Sequence, residues 1–202
     1  MPLSHYALDH FVAPKLSSLT SCGMPEFEFP DVPFAAVILN QIFVRPLGQT
    51  QIRLLTNTLR WIDGAFASYA AARTSLIAYT SISHGKLSDY YRAVLHIEQC
   101  TAATHHAEAL VSTAYQLLGS IERPRSDAAQ RLRRLYNTSK HVDERIGEGE
   151  FLDDATVPIW LTNEGMESKD HSLSFAELSG FMQDYVDLTN SLLKQIQAGG
   201  ST

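Results

Sequence analysis

Residues Thr50–Ile82, TQIRLLTNTLRWIDGAFASYAAARTSLIAYTSI, decide the architecture. Leu55, Leu59, Ile62, Phe66, Tyr69 and Leu76 recur at alternating steps of four and three, with Arg73 on the skipped step. That period predicts a long amphipathic helix. Ser83–Ser88 contains Gly85 and predicts a turn, after which Ser88 offers an N-cap and Asp89 a first-turn acid for a second long helix reaching about Ser120. Two long helices joined by a short turn pack as an antiparallel hairpin.

Outward from the hairpin, Arg123-Pro124-Arg125 is a break, and Ser126 and Asp127 are start signals for a third helix running to about Ile146. Gly147 and Gly149 end it. Residues 147–155 read as an acidic loop. Thr156–Thr162 and Ser172–Phe175 read as two short strands around a turn at Asn163–Asp170, with Pro158 confining the first to an edge. Ser174 with Glu177 forms a capping box opening a last helix on Leu178, Phe181, Tyr185, Leu188, Leu192 and Ile196. On the N-terminal side, Phe34–Val44 reads as a short buried helix or strand. Pro2, Pro14, Pro25, Pro30 and Pro33 make residues 1–33 an extended arm with at most short helical turns, packed over its own domain or a partner subunit. The expected fold is all-α: an antiparallel bundle of four to five helices in one domain over 34–198, with a β-hairpin insertion at about 156–175.

The 45% hydrophobic content is enough for a substantial core. Cys22 and Cys100 are far apart, which argues against a zinc ribbon, a thioredoxin-like site or a disulfide framework and fits a reducing cytoplasm. His5, Asp9 and His10 interrupt the first residues where a secretory signal needs an apolar run, and no window is apolar enough for a membrane span. A soluble cytoplasmic protein without membrane contact is expected. The formal net charge of -6 opposes nonspecific nucleic-acid binding. The charge is uneven, however: Arg123, Arg125, Arg131, Arg133, Arg134, Lys140 and Arg145 face only Glu122, Asp127, Asp143 and Glu144 between Ile121 and Arg145.

Within that basic stretch lies Arg133-Arg134-Leu135-Tyr136-Asn137-Thr138-Ser139-Lys140-His141. Stepping about 100° per residue from Arg134 puts Asn137, Thr138, His141 and Arg145 in one polar sector, with Leu132, Leu135, Val142 and Ile146 opposite. A cation, an amide and an imidazole facing outward together can hold a phosphodiester and move its protons. The same stripe is also what an ordinary solvated helix face looks like.

At these residues the chain resembles the HEPN superfamily (higher eukaryote and prokaryote nucleotide-binding domains), helical proteins marked by an arginine followed after four to six residues by a histidine. Asn137 and His141 carry the family's spacing, but Tyr136 stands where an arginine often precedes the asparagine. Either Arg134 serves as the arginine two residues early, or the arginine is lost and the site is degenerate. The resemblance implies a metal-independent endoribonuclease of toxin or defence type, needing no cofactor, with its site assembled across a homodimer and an antitoxin protein as a further partner. It implies that His141 transfers protons, Arg134 stabilises phosphate charge and Asn137 orients them, with a 2',3'-cyclic phosphate as product. Arg131, Thr138, Lys140 and Arg145 are the expected substrate-binding residues. The alternative is a non-catalytic module of the same type binding a nucleotide, RNA or a protein.

A third class is a metal-dependent helical bundle using Glu98, His105 and Glu108. These residues fall opposite the face formed by Cys100, Ala103, Ala107, Leu110, Val111 and Ala114, so they are expected in solvent, where no inward ligand set forms. His96 falls within the apolar face and reads as a core histidine or one standing behind the motif helix. Trp61 reads as core or rim, and Trp160 as a cover on the bundle. No nucleophile elbow or single-strand stacking platform is present.

Overall fold

A computed structural model describes residues 4–26, 48–81, 85–117, 127–149 and 155–199. The apolar segment 34–44, the break at 123–125 and residues 150–154 of the acidic loop lie outside the described residues. The elements are α1 (His5–Phe11), a 3-10 turn (Leu16–Ser18), α2 (Gln49–Thr80), α3 (Leu87–Leu117), α4 (Asp127–Lys140), α5 (Val142–Glu148), β1 (Trp160–Leu161), β2 (Gly165–Glu167), β3 (Ser172–Ser174) and α6 (Phe175–Gly199).

The periodicity of the opening stretch is realised as α2, in which Leu55, Leu59, Ile62, Phe66, Tyr69 and Leu76 are all buried. Its partner α3 runs antiparallel. Tyr79 and Tyr90 meet at the hairpin end with ring centroids 5.5 Å apart, and Trp61 meets His106 at the far end with centroids 4.6 Å apart. Small residues on α3, namely Ala93, Cys100, Ala103 and Ala107, are buried and let the neighbouring helices approach closely. Cys100 Sγ lies 3.7 Å from Met182 Sδ on α6, and the Thr101 hydroxyl lies 3.6 Å from Met166 Sδ on β2. The second long helix is therefore covered on three sides.

The insertion is a three-stranded antiparallel meander, order β1-β2-β3, rather than the two-stranded hairpin expected. Gly165, Met166 and Glu167, assigned from sequence to the turn, form the middle strand, pairing with Ser174, Leu173 and Ser172. Gly165 is required there, since a Cβ would lie 2.4 Å from the Leu173 carbonyl oxygen. Met166 and Leu173 carry one face into the core, and each such burial is worth about 1.5–3 kcal/mol. β1 is an edge strand, with Pro158 just ahead of it. The capping box is present, with Glu177 N donating to Ser174 Oγ (3.1 Å) and Ser174 N donating to Glu177 Oε2 (2.9 Å).

The N-terminal segment is less extended than its prolines predict. It forms α1 and the 3-10 turn, and it contributes Leu8, Val12, Ala13, Leu16, Leu19 and Met24 to the same core as the bundle. Asn163 fastens it to the β1–β2 turn. The Asn163 side chain accepts from Thr20 N (2.9 Å) and Ser21 N (3.0 Å) and donates to the Ser18 carbonyl (3.1 Å), while its own carbonyl accepts from Gly23 N (2.8 Å). Among the described residues no helix is long and apolar enough to cross a membrane.

Asn163→Ala removes three of those four bonds at a partly exposed position, so it should lower the unfolding free energy by about 1–2 kcal/mol and speed proteolysis within residues 12–26. Denaturant titration and limited digestion measure the two effects, and unchanged values in both would refute the clamp.

Candidate functional site

The motif helix is shorter than its spacing predicts. It breaks at His141, whose φ of -107° and ψ of 34° leave the helical region, and a separate helix follows. The hydrogen-bond ladder nevertheless runs through the break: His141 N donates to the Asn137 carbonyl and Arg145 N to the His141 carbonyl, each over 3.1 Å. The break is thus a kink after the last motif residue. Leu132 and Leu135 upstream are fully buried, whereas downstream Val142 is only half-buried and Ile146 is 63% exposed, contrary to the expected continuous apolar face.

Stepping about 100° per residue, Lys140, Arg133, Asn137, Gln130, His141 and Arg134 occupy an arc of about 120° on α4. All are exposed except His141, which retains 43% of its side-chain surface. The arc is centred on Gln130 and Asn137 rather than on Arg134. Thr138 therefore lies past its edge: it is buried, its hydroxyl donating to the Arg134 carbonyl (3.0 Å), and it is no surface ligand. Arg131 also leaves the expected set, because its guanidinium is ion-paired with Glu177 at the start of α6. Lys140 is exposed, and Arg145 is half-buried beyond the kink on α5.

Arg134 and Asn137 open on one groove of about 400 Å³, lined among the described residues by Glu108, Ala129, Gln130, Arg133, Arg134 and Asn137. Arg133, Gln130 and Glu108 were not assigned to the motif from sequence. The signal for Arg133 and Gln130 was their place on the same exposed arc, and Glu108 needed knowledge of which helix covers α3. His141 is not in that lining. It sits one turn beyond Asn137, with Nδ1 3.0 Å from Glu144 Oε2. A carboxylate so placed accepts from Nδ1, orients the ring and leaves Nε2 to exchange a proton.

Glu98, His105 and Glu108 do not face solvent as expected; they face α4. Glu98 is hydrogen-bonded to Ser139, and burial raises its carboxyl above the ordinary value against the lowering effect of that bond. His105 and Glu108 retain 21% and 14% of their side-chain surface, with His105 Nδ1 3.9 Å from Glu108 Oε2. Tyr136 stacks on His105 (centroids 4.5 Å, interplanar 26°) and meets His106 edge-on (5.6 Å), and His106 in turn leans on Trp61, over which the Arg60 guanidinium sits at 5.2 Å. This ladder ties α4 to α3 and α2 directly behind the groove. Among the described residues no group of three or more His, Cys, Asp or Glu side chains is placed to hold a metal ion. His96 lies half-exposed beside Gln99 (Nδ1 to Oε1, 3.1 Å), outside the core position expected of it, and Trp160 is buried with Nε1 donating to Glu167 Oε2 (3.3 Å).

The chain matches no family model, no curated protein and no solved structure.

Burial raises the Glu177 carboxyl, but hydrogen bonds from Ser174 and the charge and hydrogen bond of Arg131 outweigh it, leaving the group below its ordinary range. A folded-state value below the unfolded one contributes stability at neutral pH that is lost as pH falls through the folded value. Glu177→Gln should therefore melt below wild type at pH 7, with the gap closing below about pH 4. A gap unchanged at pH 3 would show that the carboxylate's charge plays no part.

Proposed function

We propose that the chain is a HEPN-like, metal-independent endoribonuclease acting as a homodimer. The observation that carries this reading is the common exposed arc of α4, on which Arg134 and Asn137 share a groove and His141, paired with Glu144, follows one helical turn on. Arg134, helped by Arg133, supplies charge to a phosphodiester and to the greater charge that develops on it during displacement. Asn137 donates to a phosphate oxygen. His141 either accepts the ribose 2'-hydroxyl proton or supplies a proton to the departing 5'-oxygen. The 2'-oxygen bonds to phosphorus, the bond to the 5'-oxygen breaks, and a 2',3'-cyclic phosphate and a 5'-hydroxyl result. Ile146, exposed on the helix after His141, offers apolar surface to a second copy.

The exposure of Arg133, Arg134, Asn137 and Lys140 among the described residues supports an open approach to the arc. One observation favours a second reading, a non-catalytic RNA- or nucleotide-binding module: the groove lined by Arg133, Arg134, Gln130 and Asn137 does not include His141.

Wild-type protein with end-labelled single-stranded RNA should cleave in excess EDTA, leaving cyclic phosphate ends. His141→Ala and Arg134→Ala should each slow cleavage by about 100-fold or more. Undiminished cleavage by His141→Ala refutes the assignment, loss of wild-type activity in EDTA points to a metal enzyme, and binding weakened by Arg134→Ala without cleavage by wild type favours the module.

A further inference from the structure

Among the described residues that line the groove, Glu108 is the carboxylate, and it arrives from α3, across from Arg133, Arg134 and Asn137 on α4. Its side chain is largely withdrawn from solvent, at 14% exposure, and stands 3.9 Å from the His105 imidazole, which Tyr136 holds in place by stacking. Displacement at phosphorus by a 2'-hydroxyl needs two proton movements, one off the nucleophile and one onto the leaving oxygen. A single imidazole performs one of them at a time. The α4 arc carries His141 one helical turn beyond Asn137, outside the groove lining, while the lining itself contributes a carboxylate.

Resting on the reading of the groove as a ribonuclease site, we propose that Glu108 is the general base and His141 the general acid, both from the same chain. The Glu108 carboxylate takes the 2'-hydroxyl proton as that oxygen bonds to phosphorus. The His141 imidazolium, ion-paired with Glu144, gives its proton to the 5'-oxygen as the old P–O bond breaks. Products leave as cyclic phosphate and 5'-hydroxyl, and proton exchange with water returns Glu108 to carboxylate and His141 to imidazolium. Arg133 and Arg134 offset the repulsion between the Glu108 carboxylate and the phosphate. The assignment makes each site complete within one subunit, and a second copy then serves stability or RNA docking.

The test compares wild type, Glu108→Gln and Glu108→Asp on one end-labelled single-stranded RNA in EDTA, across a range of pH, with thermal melting to verify folding. Glu108→Gln should lower kcat by about 100-fold or more with little change in KM, and the fall in rate toward acid expected of wild type should be lost. Glu108→Asp keeps a carboxylate and should retain that acid limb at a reduced rate. Mixing Glu108→Gln with His141→Ala subunits should restore no activity. Equal kcat and pH profile in wild type and Glu108→Gln would overturn the base assignment while leaving the ribonuclease reading intact. Recovery of activity on mixing would overturn the single-chain site. Absence of cleavage by wild type would sink the ribonuclease reading and this assignment with it.

Discussion

The enclosure of α3 governs the rest of the molecule. It is held on one side by α2 through the Tyr79–Tyr90 and Trp61–His106 contacts, on a second by α4 through Glu98–Ser139 and His105–Tyr136, and on a third by α6 and β2 through Met182 and Met166. A helix surrounded in this way must satisfy its polar groups without water, because a buried donor or acceptor left alone costs about 1–3 kcal/mol. The Thr101 and Thr104 hydroxyls do so by donating to the carbonyls one turn back, each over 2.8 Å. Glu98 does so through Ser139. Of the polar side chains that α3 turns to α4, Glu108 lines the groove.

The motif helix is built on the opposite principle. Ala129, Leu132, Leu135 and Thr138 form its buried side, and Tyr136 plugs it against the two histidines of α3. What is left outward is almost purely polar. Arg131 borders this surface but is drawn off by Glu177, so a cation near the site is consumed in fixing α6 to α4. The kink at His141 ends the amphipathic pattern at the point where the polar arc ends. Beyond it Ile146 is exposed, and the C-terminal turn of α5 is closed by Gly149 in the left-handed region (φ 69°).

Long amphipathic helices were legible because one face faces water and imposes a 3.6-residue period, as Leu55 through Leu76 shows. The capping box at Ser174–Glu177 was legible because it is a local interaction. β2 was hidden because a three-residue strand with a single apolar side chain, Met166, has no period to read. The docking of the N-terminal segment after α1 involves residues far along the chain, among them Asn163 and Thr156, which prolines cannot announce. Glu98, His105 and Glu108 were placed in solvent because a helical wheel assumes one buried side, and α3 has several. The kink at His141 is marked by neither proline nor glycine, and the Glu144 side chain that meets the imidazole lies on the far side of it.

Position 136 shows how packing constrains the chemistry available to α4. It lies about 200° around the helix from position 134, on the side turned to α3, where the tyrosine ring fills the space between His105 and His106. A guanidinium there would enter a partly dry interhelical contact beside two imidazoles, with no path to a phosphate in the groove, and its desolvation would cost several kcal/mol. From 134 or 133 the same group reaches the groove at no such cost, and these two positions lie on either side of Asn137 on the exposed arc. Given this packing of α4 on α3, the register that can present a cation and an amide together is the one with Arg134, not one with an arginine directly before Asn137.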